Sequence, residues 1–452
     1  MKVTRSDRKV TPYGGVIPIL KILRDHGIPD LINKVLGKRP PQAQYSYDEI
    51  IITMLMMIYC GCDRLSNITL LEEKLAGVLG FEIPSHDTIG RVLKSLATKN
   101  NISEHVTRGK ITSKDERKRK GRKTYEIITV RETNENHKLN ELLVRTLKSF
   151  KVLSADENTT VDIDATIIPT KAYQAKKTYK KMTGFFPMVS LIGDYPVYIG
   201  MRNGNVSPMA EIKKTVINTL EVVENYLQIP VNKVRMDGGG YNLQAFNYME
   251  EKGIKFYVGG VLRPRVLEEI ENHDLWQPIN LETFDCFWNC KAASIPYKLV
   301  EGQNEYRLIV LRADTTSKSI PTNWIKDKTG NTAYRVIISN DWDMPMDELV
   351  SFYNQRGTSE TKFAELKNDF GWKYPPFGDM NQNTVYLFVM ALAKGLYHAV
   401  KKFIRSKGVK QVRLNSRIKE FRFTFICVSC EVLSDGNVEF FMTSIEFEKI
   451  FK

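Results

Sequence analysis

Three acidic residues have the type and setting needed for divalent-metal chemistry: Asp164, Asp237 and Glu360. Hard cations such as Mg²⁺ take oxygen ligands and few protein side chains, so three converging carboxylates suffice for two ions. Two ions about 4 Å apart can activate a water or sugar hydroxyl and stabilise the leaving oxygen of a phosphodiester. If the three residues converge, we expect a site that acts on a polyanion.

Glu360 belongs to a four-residue pattern, Tyr353-x2-Arg356-x3-Glu360-x6-Lys367. On one continuous α-helix these side chains would lie within roughly 60° of one another and form a single stripe. Apolar residues beside the stripe predict a core-facing edge: Leu349, Phe352, Phe363, Leu366 and Phe370. A carboxylate flanked by two cations at the border of a core suits metal and phosphate. The alternative is an amphipathic helix with a solvated charged side.

Asp164 lies in a predicted strand, ENTTVDIDATII. Strand periodicity puts Asp162, Asp164 and Thr166 on one face and the apolar residues on the other. Two carboxylates on one strand face are unusual, because aspartate is disfavoured in strands and like charges repel. A bound metal ion would relieve the repulsion, and so would a strand end that is exposed to solvent.

Asp237 ends another predicted strand and is followed by three glycines, Gly238 to Gly240. Glycines let the chain turn sharply and let a bulky ligand approach the backbone closely. An ordinary Asp-Gly turn would have the same sequence, so this motif gains weight only beside the other two acids.

The pattern of apolar residues predicts an α/β protein whose first part is helical. Six segments follow from it: a helical N-terminal region (1–105), a basic linker with a helical connection (106–157), a segment of alternating strands and helices (158–260), a β-rich segment (261–345), two further helices (346–405) and a C-terminal tail (406–452). Glu360 therefore lies far along the chain from the two aspartates and must reach them through the fold.

The whole chain has 452 residues and a formal net charge of +14, with 42% hydrophobic residues. Such a charge favours a polyanionic partner, and nucleic acid fits better than a membrane because no lipidation motif is present. The basic N-terminus lacks the apolar stretch of a secretory signal, and the longest apolar run, 50–62, is too short to span a bilayer. We expect a cytoplasmic protein that associates with nucleic acid.

The six cysteines are typical of a reduced intracellular protein. Two of the pairs, Cys286-x3-Cys290 and Cys427-x2-Cys430, could form a split zinc site. They are far apart in sequence, and the second pair lies in an apolar, strand-like run, FRFTFICVSC, so we do not expect zinc. The six histidines form no HExxH pattern, and the absence of a P-loop argues against a nucleotide cofactor.

Three segments are candidates for contact with DNA. In PSHDTIGRVLKSLAT, a short helix capped by Ser85 would point Arg91 and Lys94 outward, which is compatible with a helix-turn-helix module. Segment 108–123 has nine Lys or Arg against two acids and would either follow phosphates or form a solvated linker. The third, KAYQAKKTYKKMTGFF, interleaves cations and rings and would be a DNA-contacting segment or a lysine-protected hairpin edge. Its candidate contacts are Lys176, Lys177, Tyr179, Lys180 and Lys181.

The chain resembles DDE transposases of the bacterial insertion-sequence type, in the group defined by a Tyr-Arg-Glu-Lys signature. Tyr353, Arg356, Glu360 and Lys367 match that signature in type and spacing. The Asp-x-Thr context of the family's first aspartate selects Asp164 over Asp162, and Asp237 matches the second. Further similarity, to one subfamily, lies in KKTYKKMTGFFPM and in MRNGNVSP, which contributes Arg202 and Asn205. The resemblance covers roughly residues 12–400.

The resemblance implies a ribonuclease-H-like mixed-sheet catalytic domain with a β-rich insertion. It also implies two Mg²⁺ ions, for which Mn²⁺ can substitute, held by Asp164, Asp237 and Glu360. Tyr353, Arg356 and Lys367 would contact DNA phosphates near the cleaved end. A tryptophan of the insertion can stack on a flipped base in relatives, although we interpret each of Trp276, Trp288, Trp324 and Trp342 as a core residue.

The function implied is a transposase that cleaves the ends of its own element and joins them to target DNA. Its partners would be double-stranded DNA, namely the terminal inverted repeats and the target, and at least a second copy of the chain in a synaptic complex. One alternative is a metal-dependent nuclease on the same fold that transfers no strands. The other is a catalytically retired, transposase-derived DNA-binding protein.

Overall fold

The structure is a computed structural model, and it describes residues 8, 10–75, 77–99, 106–108, 128–130, 133–134, 136–155, 159–279, 290–299, 304–315, 324–327, 330–434, 436–441 and 443–452. Beyond residue 108, the basic segment 108–123 lies outside the described residues, as do Cys286 and Trp288. Within the described ranges, no helix is long and apolar enough to cross a membrane.

The N-terminal region is built mainly from helices. Its elements are β1 (Val10–Thr11), α1 (Val16–Asp25), α2 (Ile28–Leu36), α3 (Tyr47–Tyr59), α4 (Thr69–Glu72), α5 (His86–Lys99), β2 (Val106–Arg108), β3 (Ile128–Val130), β4 (Thr133–Asn134) and α6 (His137–Ser149). Helix α3 begins with a capping box in which Ser46 and Glu49 bond each other's backbone amides. Eleven of its thirteen residues are buried, which makes α3 the centre of the N-terminal core.

Residues 159–260 alternate strands and helices as predicted. It contains β5 (Thr160–Ala165), β6 (Ile168–Pro169), β7 (Lys176–Lys177), β8 (Thr183–Phe185), β9 (Met188–Ile192), β10 (Tyr195–Arg202), α7 (Ile212–Val222), β11 (Lys233–Met236), α8 (Leu243–Glu251) and β12 (Lys255–Gly259). The sheet order is β10-β9-β5-β11-β12. Strand β9 is antiparallel to both neighbours, whereas β5, β11 and β12 are parallel. In order of appearance the strands run 3-2-1-4-5, so the expected ribonuclease-H-like fold is confirmed.

Residues 261–345 add strands to this same sheet. The elements are α9 (Pro264–Glu271), β13 (Gln277–Pro278), β14 (Lys291–Lys298), β15 (Glu305–Asp314), β16 (Ile325–Lys326) and β17 (Thr332–Ser339). Strand β17 pairs antiparallel with β12, and the order continues through β15 and β14 to β13. The insertion therefore extends the catalytic sheet at its β12 edge. Of its tryptophans, Trp324 is buried and Trp342 is 47% exposed.

The last part of the chain returns to helices. It contains α10 (Met346–Asn354), α11 (Ser359–Asp369), α12 (Met380–Ser406), α13 (Ile418–Phe421), β18 (Cys430–Val432), β19 (Val438–Phe440) and α14 (Glu448–Phe451). Helix α12 packs against α3, α5, α6 and β10. Together with α6, which packs against both α2 and β10, it joins the N-terminal helices to the sheet.

The C-terminal segment packs on the N-terminal helices. Strand β18 pairs with β1, and a Cβ at Gly15 would lie 2.0 Å from the Phe425 carbonyl oxygen. The prediction of a strand-like run at FRFTFICVSC is wrong for most of its length, because residues 422–426 form a π-helical turn. Tertiary contacts outweigh the β propensity there: Arg422 donates to the carbonyls of Ile58 and Tyr59 at 2.8 and 2.9 Å.

Candidate active site

Asp164 lies near the end of β5, on the polar side of the strand. Val161 and Ile163 are buried in the core on the other face, as the alternation in the sequence predicts. The Asp164 carboxylate accepts a hydrogen bond from the amide of Ala165 at 2.7 Å, and its side chain is 14% exposed. The carboxylate is thus held in one orientation and can still be reached from solvent.

Asp237 directly follows β11, and the parallel register places it beside Asp164. The residues immediately before the two aspartates are paired across the neighbouring strands. The Asp237 carboxylate accepts a hydrogen bond from the Gly239 amide at 2.9 Å and caps the 3-10 turn Gly238–Gly240. The two acids that sequence spacing had singled out therefore lie together at the ends of adjacent strands.

The backbone around Asp237 leaves no room for a side chain at Gly259 of β12. A Cβ there would lie 2.7 Å from the Gly238 amide nitrogen and 2.8 Å from the Tyr353 hydroxyl. Tyr353 is 4% exposed and packs under the Arg335 guanidinium, 5.2 Å from the ring centre. The structure thus gives Tyr353 a supporting role beneath the Asp237 strand end, where we had expected a contact with DNA phosphate.

Arg356 pairs directly with the first aspartate. Its guanidinium donates to the Asp164 carboxylate at 2.8 Å, and both side chains are largely enclosed. Burial, followed by the charge of Asp237, raises the pKa of Asp164 to about 6, although Arg356 acts in the opposite direction. Two enclosed carboxylates and one cation make a site that still favours additional positive charge.

The expectation of a single helical stripe from Tyr353 to Lys367 is wrong. A 3-10 turn, Gln355–Thr358, separates α10 from α11. Arg235 donates to the Phe352 carbonyl at 2.6 Å and so occupies an acceptor that a continuing α-helix would use. Gly357, which has low helix propensity, lies within the turn. Because of this break, Arg356 meets Asp164 from a turn.

Glu360 lies in the first turn of α11, and its side chain is exposed. In the part of the chain that the structure describes, no group of three or more His, Cys, Asp or Glu side chains could hold a metal ion. The structure therefore brings Asp164 and Asp237 together but does not gather Glu360 with them. The role of Glu360 as a third ligand stays a prediction.

The hairpin formed by β7 and β8 lies beside the carboxylates of Asp164 and Asp237. Tyr179, in the turn of the hairpin, lines a small cleft together with Asp164. Lys367 of α11 lies nearby: burial, and then the charge of Lys180, lowers its pKa, while Asp164 raises it. The other lysines proposed to contact DNA are exposed on the same hairpin: Lys176, Lys177 and Lys181. The segment forms the hairpin that the alternative interpretation required, and its position beside Asp164 is compatible with DNA contact.

Arg202 has a structural role in place of the expected DNA contact. It is 2% exposed and donates to the carbonyls of Phe186 and Ala210 at 3.0 and 3.1 Å. Burial lowers its pKa to about 10. Asn205, from the same motif, is half-buried. Sequence similarity pointed to these positions, but it could not distinguish a buried arginine that braces the strand end from one that faces a groove.

Arg91 and Lys94 are exposed on α5, as the helical pattern predicts. The apolar face of α5 is buried, and Ser85 caps the helix by accepting a hydrogen bond from the Thr88 amide at 3.3 Å. Contact of these two cations with DNA stays a prediction.

A buried ion pair beside the carboxylates was missed in the sequence. Arg235 binds Asp162 through two hydrogen bonds of 2.6 and 3.0 Å, and Lys362 of α11 lies 3.7 Å from the same carboxylate. The Arg235 and Asp162 side chains are 9% and 3% exposed. The sequence contained a signal for this pair. Asp162 and Arg235 stand two positions before Asp164 and Asp237, and residues two apart on a strand face the same side of the sheet. This pair joins β5 and β11 to the start of the helix that carries Glu360.

A second buried charge cluster fixes α11 on α12. Glu365 lies 3.0 Å from Lys394, which is fully buried, and 3.1 Å from His398. Lys394 also donates to the Asp194 carbonyl at 2.6 Å, so the cluster reaches the turn between β9 and β10. Glu365 and Lys394 are far apart in the sequence and belong to no recognisable motif, so the cluster could not be predicted. The packing of α11 on α12 brings them together.

Glu365→Gln is expected to lower the free energy of unfolding by about 3 kcal/mol at pH 7. Burial alone would raise the pKa of Glu365, but the His398 hydrogen bond and the Lys394 charge outweigh it and lower the pKa to about 2. A lowered carboxylate pKa stabilises the fold above the unfolded value and loses that contribution as the pH falls. Urea unfolding should therefore show that the difference in free energy of unfolding between wild type and variant shrinks as the pH falls from 4.5 to 2. The exposed Glu348→Gln on α10 is the control, and a pH-independent gap would contradict the assignment.

A family model described as "Transposase DDE domain group 1" matches residues 1–440. No protein with curated annotation matches the sequence. Among solved structures, the cryo-EM structure of a piggyBac transposase synaptic complex with hairpin DNA is 12% identical, with a TM-score of 0.45. That match covers 92% of this chain and 81% of the other. The span of the family match includes Asp164, Asp237 and Glu360.

Proposed function

The chain belongs to the transposases with a DDE domain of group 1, and on that premise we propose that it cleaves the ends of its own mobile element and joins them to target DNA. The observation that supports this most is the pair of enclosed carboxylates, Asp164 and Asp237, on adjacent strand ends of a ribonuclease-H-like sheet. A structural ion pair would need only one of them.

The donor set of this site suits a hard divalent cation. Burial, followed by the charge of Asp237, raises the pKa of Asp164 to about 6, and a cation bound between the two carboxylates would favour their charged forms. We assign both as ligands, with Glu360 as the third, for two Mg²⁺ ions. Bound there, the ions would activate the attacking oxygen and stabilise the leaving one.

The surrounding cations would bind the DNA phosphate. Arg356 forms an ion pair with Asp164, and the charge of Asp164 acts to raise the pKa of Lys367. In the proposed complex Arg356 exchanges Asp164 for phosphate, and both cations stabilise the charge that develops there. The glycine turn after Asp237 lets the DNA backbone approach without meeting side chains.

The proposed partners are the two ends of the element, the target DNA and a second copy of the chain. Joining two ends requires at least a dimer on DNA, because one catalytic site acts on one end at a time. We place the protein in the bacterial cytoplasm, on nucleoid DNA.

The proposal is tested with the full-length protein, Mg²⁺, duplex fragments from the genomic DNA on both sides of the gene, and a target plasmid. We expect a 3′-hydroxyl at the boundary of an inverted repeat and a product in which that end is joined to the plasmid. Cleavage without joining would identify a nuclease, and binding without cleavage a retired DNA-binding protein. Either result would overturn the proposal.

A further inference from the structure

Two clefts with a common wall lie between α11, the C-terminal segment and the N-terminal helices. The first, of about 460 Å³, has Lys367 at one end and residues of the C-terminal segment on its far side. The second, of about 900 Å³, lies between α5 and the loop that precedes α12. Asp63 and Tyr374 line both. The two clefts together are termed the basic groove.

Cations predominate along the basic groove. Five line the first cleft: Lys367, Lys373, Arg417, Lys419 and Arg422. Arg64, Arg91 and Lys94 line the second. Against these eight stand three carboxylates, those of Asp63, Asp87 and Asp369. A concave surface with this excess of positive charge attracts a polyanion and focuses its field along the groove.

The C-terminal wall of the groove is rigid. Arg417 bonds the buried Asp369 carboxylate at 2.7 and 2.8 Å, and Arg422 is fixed on the end of α3 through two carbonyls. Pairing of β18 with β1 fastens the segment beyond them. The groove is therefore present before any ligand arrives.

Two lysines of the groove are available to a ligand. The side chains of Lys373 and Lys419 are exposed, and neither side chain forms an ion pair or hydrogen bond with another described residue. The Lys373 ammonium lies 5.3 Å from the centre of the Tyr374 ring. Tyr374, 66% exposed, lies where the two clefts meet. Lysines that point into a groove beside an exposed ring suit phosphates and bases together.

We infer that the basic groove binds the backbone of the DNA that continues from the phosphodiester at Asp164 and Asp237, and that the C-terminal segment forms its outer wall. This inference rests on the proposed function. It assigns a DNA-binding role to residues 417–422, which the sequence left without one. It also links the catalytic Lys367 to Arg91 and Lys94 along one path.

The test is the double variant Lys373→Ala/Lys419→Ala in the full-length chain. Its affinity for fluorescent duplex fragments from the genomic flanks of the gene is measured by anisotropy between 50 and 300 mM KCl. Each lost phosphate contact lowers the slope of log K against log salt by about 0.9. We expect a slope shallower by about 2 and roughly tenfold weaker binding at 100 mM KCl. The matched control, Lys291→Ala/Lys298→Ala, removes two exposed lysines of β14 that line neither cleft.

An unchanged slope in the Lys373/Lys419 variant would overturn the inference, and so would an equal loss in the control. If the natural ligand of the groove were an acidic protein and not DNA, the salt slope of DNA binding would be unchanged in this variant. Both variants change exposed side chains, so equal melting temperatures should show that folding is intact. Cleavage by the wild type is measured separately, and its absence would overturn the proposed function. The salt slope of the Lys373/Lys419 variant decides only whether DNA occupies the basic groove.

Discussion

Asp237→Asn is expected to lower Mg²⁺-dependent cleavage of element-end DNA by at least about a thousandfold. The substitution keeps the size of the side chain and its acceptor for the Gly239 amide, so the strand end should keep its shape. It removes the negative charge that a divalent cation requires. Single-turnover cleavage measures the loss, and DNA binding by anisotropy should remain within about twofold of wild type.

The same variant should be more stable than wild type when no divalent ion is present. Asp237 raises the pKa of Asp164 through like-charge repulsion in an enclosed site, and its removal ends that repulsion. We therefore expect a higher melting temperature at pH 7 in EDTA, and a smaller increase on adding Mg²⁺ than the wild type shows. Asp274→Asn, at an exposed position outside the site, is the control. Unchanged cleavage by Asp237→Asn would contradict the assignment of this residue.

Arg235→Met is expected to lower the free energy of unfolding by about 3–5 kcal/mol. It leaves the Asp162 carboxylate buried, and among the described residues the one remaining cation paired with it is Lys362, at 3.7 Å. It also removes the hydrogen bond to the Phe352 carbonyl, which fixes the end of α10. Urea unfolding gives the loss directly, with the exposed Arg265→Met as a control for removing an arginine.

A double-mutant cycle separates the ion pair from simple loss of packing. When Asp162→Leu is added to Arg235→Met, the unpaired Asp162 carboxylate is removed and the remaining cation is Lys362, whose side chain is 13% exposed. The double variant should therefore recover part of the lost stability. Strict additivity of the two single losses would show that the pair is not coupled. Because the pair joins the strands that carry Asp164 and Asp237, the single variants should also lose DNA cleavage, whereas the double variant should regain stability without regaining full cleavage.

The strands that carry the aspartates could be predicted because their signals are local. Alternation of polar and apolar residues around Asp164, and a strand followed by glycines after Asp237, depend on neighbours within a few positions. The pairing of those strands is not local. Parallel register, which sets Asp164 beside Asp237 and Arg235 beside Asp162, emerges only when the whole sheet is assembled.

The helix around Glu360 shows where local periodicity misleads. Spacing predicted one helix, but Arg235, more than a hundred residues earlier, takes the Phe352 carbonyl and a 3-10 turn follows. For the same reason Arg202 could not be recognised as buried, because the carbonyls that bind it belong to other segments. Tertiary hydrogen bonds decided both outcomes.

The central claim is that Asp164, Asp237 and Glu360 act as one metal site. It is tested most directly by a cryo-EM structure of the full-length protein with element-end DNA and Ca²⁺, which occupies such sites without supporting cleavage. We predict that carboxylate oxygens of all three residues bind shared ions beside the scissile phosphate, with Arg356 moved from Asp164 to the DNA. A Glu360 carboxylate more than about 10 Å from both aspartates, too far for shared ligation, would contradict the claim.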